Sequence, residues 1–287
     1  MSAVIRHELK TYFRSLTAYV FGAFLLAFTG VGAMMYNINS AVSNFEYVLD
    51  FVSIVFVVIV PILTMRVIAE ERRQKTDQLL YSLPITTTQV VLGKYAALLV
   101  VFLVPMAIIC VYPAVFARFG DVYLLTSYGA LLAFFILGAA LIALGVFISS
   151  LTENQGLAAG IGIAVILFNY YSVVLSEYAS ASVAGSVIAL LVLIVLIALV
   201  VRYVTGSTPL AIGIAVVLIA AGAVVFFLNR VAFEGLLPAL MTRLSLFMAL
   251  SSFVNGVFDL TVIVFYLSVI VFFLFLSVQS MEKRRYN

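Results

Sequence analysis

Apolar residues run along this chain in long blocks separated by short polar turns, and the block lengths give the first reading. A helix needs about 20 consecutive apolar residues to cross a hydrocarbon core of about 30 Å. Eight stretches reach that length, at about 17–37, 47–66, 90–116, 127–149, 156–176, 183–204, 210–228 and 259–280. They predict an all-α, polytopic transmembrane bundle of about eight spans in one domain. Six are core spans. Residues 183–228 form an accessory hairpin of Val, Ile, Leu and Ala that turns at `TGSTP`.

Three stretches break the pattern. Over residues 1–16, Arg6, Lys10 and Arg14 recur every four residues, and Ile5, Leu9, Tyr12 or Phe13, and Leu16 lie on another face. This is an amphipathic helix suited to the headgroup layer, or equally the basic flank of the first span. Residues 229–258 are too interrupted to span. Leu236, Leu237, Leu240, Met241, Leu244, Phe247 and Met248 share one helical face there, which predicts an amphipathic extracytoplasmic segment at the interface. The third break, 66–90, is the longest strongly polar interruption.

Local signals order that third stretch. Thr76 can cap a short helix, `DQLLYSL`, which Pro84 ends. Thr86 and Gln89 then form a capping box that starts the third span. Charge collected on one side of the membrane accounts for Arg72, Arg73 and Lys75 without a partner. It does not account for two helix starts or for the cluster of Leu79, Leu80 and Leu83, so the loop reads as an ordered surface for another protein. A second box, Thr152 to Gln155, is expected to start the fifth span. Pro61, Pro105 and Pro113 are expected kinks. Gly138 and Gly145, and the pair Gly156 and Gly160, are expected sites of close helix packing.

Composition narrows the class. Charged residues make up 9% of the chain, against about a quarter in soluble domains, and 66% is hydrophobic, with mean hydropathy +1.27. The net charge of +3 is small, and its clustering speaks of topology, not of nucleic acid. With eight spans, one side carries Arg6, Lys10, Arg14, Arg66, Arg72, Arg73, Lys75, Lys94, Arg202, Lys283, Arg284 and Arg285. The other carries Arg118, Arg230 and Arg243, a split of 12 against 3 that sums to the 15 basic residues present. The positive-inside rule then makes both termini and the 66–90 loop cytoplasmic.

Chemistry is sparse. Gly93-Lys94 lacks the upstream glycine and the following Ser or Thr of a Walker-type phosphate loop. There is one cysteine, Cys110, one histidine, His7, and no metal-binding spacing. No catalytic constellation is apparent, so the chain is not read as an enzyme. The spans hold almost no ionisable group of the kind ion-coupled transport requires. Asn169, Tyr170 and Tyr171 form the one sizeable polar cluster in a central span. Energy for any export would have to come from a separate ATPase.

The stretch `AEERRQKTDQLLYSLPITTTQVVLGKY` resembles the first loop of ABC-2 type transporter permeases. Glu70 and Glu71 match the acidic pair, Thr76 the threonine, Leu83-Pro84 the Leu-Pro and Leu92-Gly93-Lys94 the opening of the third span. Lys75 replaces the usual glycine. `ISSLTENQ` looks like the short cytoplasmic loop of that family, and `LSLFMALSSFVNGVFDLTVIVFYLSVIVFFLFL` is similar to the gliding-motility branch.

The resemblance implies a type-2 exporter fold in a bacterial inner membrane. It implies a cytoplasmic ABC ATPase dimer as partner, which would bind the ATP and Mg, with no cofactor on this chain. A second permease subunit, with a large extracytoplasmic domain or as a second copy, would complete it. Glu70, Glu71, Arg72, Arg73, Lys75, Thr76, Leu79, Leu80, Leu83 and Pro84 would form the ATPase-coupling element. Asn169, Tyr170 and Tyr171 would line a substrate path. An alternative is a membrane scaffold or sensor, coupled to the same ATPase, that drives an extracellular process with nothing crossing.

Overall fold

In the computed structural model, the described residues are 2–75, 86–179, 182–228 and 233–286. Among them every regular element is helical. In chain order these are α1 (Ser2–Arg14), α2 (Leu16–Gly32, continued by a π-helical Ala33–Asn39), α3 (Glu46–Ser53), α4 (Phe56–Thr64) and α5 (Ala69–Arg73). Then come α6 (Thr87–Ile109), α7 (Val111–Phe116), α8 (Leu124–Leu151), α9 (Gln155–Tyr178) and α10 (Val183–Thr205). The chain closes with α11 (Thr208–Leu228), α12 (Leu236–Arg243), α13 (Leu246–Val254) and α14 (Leu260–Tyr286). Seven helical stretches are long and apolar enough to cross a membrane. Two further pairs meet the test only together, α3 with α4 bent by 60° and α12 with α13 bent by 68°. The fold is therefore the expected all-helical, multi-pass one.

The chain divides into two units, Met1–Leu167 with Ala249–Val278, and Phe168–Met248 with Gln279–Asn287. In the first, α8 is the axis, with 83% of its apolar window buried. The bent pair α3–α4 runs beside it in the same direction. Ser127 Oγ donates to Glu46 Oε1 at 2.8 Å, and the amide of Ile68 donates to Ser149 Oγ at 3.1 Å, both across 81 residues. Between these ends Gly145 faces Thr64, and Gly138 faces Phe56 and Phe102. A Cβ at Gly145 would overlap the Thr64 side chain, so close approach demands glycine there, as the spacing of Gly138 and Gly145 predicts.

A register held from 46 to 68 makes α3–α4 a full crossing despite its break. Residues 127–149 rise about 33 Å at 1.5 Å each, enough for the hydrocarbon core. The break at Ile54 and Val55 is closed by tight three-residue bonds, from Val55 N to Val52 O and from Val57 N to Ile54 O. Pro61 sits nearly two turns further on, and Gly162 of α9 packs on its ring. Pro105 lies inside α6, while the next break, at Cys110, comes three residues before Pro113. A proline ring clashes with the carbonyl four residues back, which places that break.

The box at Thr86 and Gln89 forms in both directions. The second box does not form. Asn154 caps α9, its Oδ1 accepting from the amides of Gly156 and Leu157. Its short amide reaches those donors directly. The pair Gly156 and Gly160 also departs from expectation: a Cβ at Gly160 would meet nothing within 4 Å, and one at Gly156 would meet only the Asn154 side chain. Gly162, two residues on, makes the close contact instead.

In the second unit, α10 and α11 form the hairpin, and only 11% and 6% of their apolar windows are buried. Gly206 ends α10 at φ +69°, its amide donating to Arg202 O. Left-handed backbone suits glycine, which has no Cβ to clash. The segment after α11 does not present one continuous apolar face. The break between α12 and α13 separates Leu236, Leu237, Leu240 and Met241 from Phe247 and Met248.

Candidate functional site

Helix α5 has five residues, too few to hold itself, because one turn leaves its first amides and last carbonyls without internal partners. The rest of the first unit supplies them. Ser149 Oγ, in the last turn of α8, accepts from the amides of Ile68 and Ala69 at 3.1 Å each and donates to Met65 O at 3.2 Å. One fully buried hydroxyl thus caps α5 from across the chain.

Lys94 fastens the same helix from α6. It lies two turns inside that helix and is 1% exposed. Its Nζ donates to Glu8 Oε1 at 2.6 Å, to Glu71 Oε1 at 2.7 Å and to Val67 O at 3.0 Å. An ammonium has three N–H donors, and these three acceptors satisfy them. Glu8 belongs to α1 and Glu71 to α5, so one buried cation joins three helices.

Two further ties complete the arrangement. Arg66 grips Glu70 with Nε at 2.8 Å and a terminal nitrogen at 3.3 Å, and its other nitrogen donates to Thr17 Oγ1 at 3.2 Å. The Glu70 bond holds the Arg66 guanidinium above even its ordinary high range. On α1, Tyr12 donates its hydroxyl to Leu63 O at 3.3 Å. Burial, then the Glu8 carboxylate, push that phenol well above its usual value. Residues 65–73 are therefore anchored to α1, α2, α6 and α8 at once.

The expected loop residues divide by direction. Glu70 and Glu71 bond within the chain, and Arg72 is 5% exposed. Arg73 and Lys75 face outward. Lys75 has φ +56°, the left-handed backbone that favours glycine, and it stands where the resemblance puts a glycine. Thr76, Leu79, Leu80, Leu83 and Pro84, with the short helix expected over 77–83, lie outside the described residues.

The other expected cluster is in the second unit. Asn169 bridges the α12–α13 break, its Nδ2 donating to Leu244 O at 3.0 Å and its Oδ1 accepting from Leu246 N at 2.9 Å. Ser245 Oγ donates to the Asn169 carbonyl at 3.2 Å. One side-chain amide thus pairs with a carbonyl on one side of the bend and an amide on the other. Tyr170 meets Phe247 edge-on at 5.0 Å and Tyr171 at 5.1 Å.

Sequence reasoning missed Glu8, Ser149 and the role of Lys94. Two signals for the ion cluster were present. Glu8 is an acid on the apolar side of α1, one turn from Tyr12. Lys94 is an ionisable residue within an apolar run, which by itself marks a paired group. Counting Lys94 among the positive-inside charges absorbed that signal. Ser149 gave none, because its partners are more than 80 residues away.

A model of the ABC-2 family transporter proteins matches residues 27–229. No curated protein and no solved structure matches the chain. The matched range runs from within α2 through α11 and takes in the bent crossing, the anchored α5, Lys94 and Ser149. It covers well over half of the sequence, and with the multi-pass helical fold it makes this chain a membrane protein of the ABC-2 transporter family.

Proposed function

We propose that this chain is the permease subunit of an ATP-driven exporter, moved by a separate cytoplasmic ABC ATPase. The observation that carries the reading is the fastening of residues 65–73 to four helices. A loop that receives a push must deliver it, and Lys94, Ser149 and Arg66 link α5 to α1, α2, α6 and α8 with no slack segment between. The end of the bundle that bears Lys94 is cytoplasmic, with both termini, as the distribution of basic residues supports. Arg73 and Lys75 offer outward charge beside residues 76–85, which would seat on the ATPase. ATP and Mg bind on that partner.

Such coupling requires the loop to contact the ATPase differently in its two nucleotide states, since equal binding to both shifts nothing. The rigid base then tilts the spans it is tied to. The substrate path follows α9 past Asn169, Tyr170 and Tyr171. There the Asn169 amide holds the α12–α13 break in place and the tyrosines present polar edges. A second permease subunit completes the path, of the kind carrying a large extracytoplasmic domain, as the gliding-motility-like closing segment supports. The setting is a bacterial inner membrane.

The test is reconstitution with the ATPase in proteoliposomes. Replacing Glu71 and Arg72 by alanine is expected to abolish permease-stimulated ATP turnover while membrane insertion stays intact. Full ATPase capture with unchanged stimulated turnover would refute the coupling role. Turnover that moves no labelled cargo would replace export by a scaffold function.

A further inference from the structure

We propose that the outward face of α1 is a binding site for the phosphate headgroup of an anionic lipid. The inward face of this helix is fixed. Glu8 and Tyr12, one turn apart, reach Lys94 and the Leu63 carbonyl. At 100° per residue, Arg6, Lys10 and Arg14 fall on the opposite side, with His7 beside them. All four are exposed. Ser2, Ala3, Arg6, His7 and Lys10 line an open cup of about 490 Å³. Among the described residues, neither Arg6 nor Lys10 is drawn into the ion pairs of Arg66 with Glu70 or of Lys94 with Glu8 and Glu71. Arg6 and Lys10 thus bring charge to the cup with no carboxylate among the described residues paired to it.

The height of α1 decides which anion this face meets. Leu63 is the penultimate residue of α4, so the Tyr12 bond sets α1 against the side of the bundle at the level where that crossing ends. A face turned away from the bundle at that level looks into the headgroup layer. Apolar neighbours agree. Phe13 and Tyr19 meet edge-on at 6.4 Å and are both exposed, and Leu16 between them is 79% exposed. Aromatic side chains gather at this depth of a membrane. Cations above and exposed aromatics beside them suit a charged headgroup over acyl chains. An acidic protein surface would match the charge but not Leu16.

The lipid and Lys94 would hold α1 from opposite sides, so the headgroup would keep Glu8 against the ion cluster. This inference stands apart from the transport reading, and its test needs no ATPase. The full chain, purified in neutral micelles, is titrated with short-chain phosphatidylglycerol, with phosphatidylcholine of equal chain length, and with inorganic phosphate. Retained lipid is counted by native mass spectrometry, and the thermal midpoint is followed by circular dichroism.

Phosphatidylglycerol is expected to bind and to raise the midpoint, and phosphatidylcholine to do neither. The exposed double variant Arg6→Gln with Lys10→Gln is expected to keep the wild-type midpoint without lipid. Its phosphatidylglycerol affinity should fall roughly twenty-five-fold, at roughly five-fold for each basic residue near an anionic surface. Equal binding of phosphatidylcholine would overturn the proposal. So would an unchanged affinity in the double variant, or the same midpoint rise from phosphate alone, which would mark a free-anion site.

Discussion

Replacing Lys94 by methionine tests the central feature of the site, because methionine keeps the length and apolar stem but removes the charge. Glu8 and Glu71 would then face each other across the space the ammonium occupies. Their bonded oxygens lie 2.6 and 2.7 Å from Nζ, so they are at most about 5 Å apart. At an effective dielectric of about 20, two unit charges at that distance repel by roughly 3 kcal/mol. Breaking a buried pair by removing one partner costs about 3–5 kcal/mol, so the expected loss lies in that range. Glu8→Gln should cost less, about 1–2 kcal/mol, since Lys94 keeps Glu71 and the Val67 carbonyl and one of each charge remains. The triple variant Glu8→Gln, Lys94→Met, Glu71→Gln removes the ammonium together with both carboxylates that it binds. It should recover most of the loss, because neutral replacement of a whole buried charge cluster is often tolerated. Reversible unfolding of the purified chain in mixed micelles, followed by far-ultraviolet circular dichroism, gives the three differences. Lys94→Met within about 1 kcal/mol of wild type, or a triple variant no more stable than that single one, would refute the reasoning.

Three further outcomes are expected from the same measurement. Ser149→Ala removes the acceptor for two amides at the start of α5 and should cost about 1–3 kcal/mol, with faster hydrogen exchange at Ile68 and Ala69. Gly145→Ala drives a methyl into Thr64 and should cost about 1–3 kcal/mol, whereas Gly160→Ala, with open space around it, should change stability by less than about 0.5 kcal/mol. Lys75→Gly should be neutral or stabilising by up to about 1 kcal/mol because it relieves a left-handed backbone, while β-branched Lys75→Val should lose about 1–2 kcal/mol.

The crossings were legible because each is a local property: length, hydropathy and a polar turn suffice. So was the capping box at Thr86, whose partners are three residues apart. The break in the second crossing was not. Residues 47–66 read as one apolar run, and Pro61 draws attention to itself, yet the bend falls at Ile54 and Val55. Nothing in an apolar run says where it will bend. That depends on what it packs against. Asn154 displaced Thr152 as a cap for a simpler reason. Both residues can cap a helix, and a box pattern alone does not choose between them.

The candidate site was half legible for a physical reason that reaches beyond this chain. Its charges were visible, but their direction was not. A run such as `EERRQK` reads as surface because charge normally seeks water, and the structure turns Glu71 and Arg72 inward. Glu71 turns inward onto Lys94, and Lys94 can itself be buried because α1 brings Glu8 and α5 brings Glu71. Lys94 has no reason to be inside without the two carboxylates, so the arrangement has to be read as a unit. The family match begins at residue 27, after Glu8. The partner that completes the cluster therefore comes from outside the matched range, from a helix whose own sequence looks merely basic. Glu8, its one acid, ties α1 to the ion cluster, as Tyr12 ties it to the end of α4, and that acid makes the N-terminal helix part of the site.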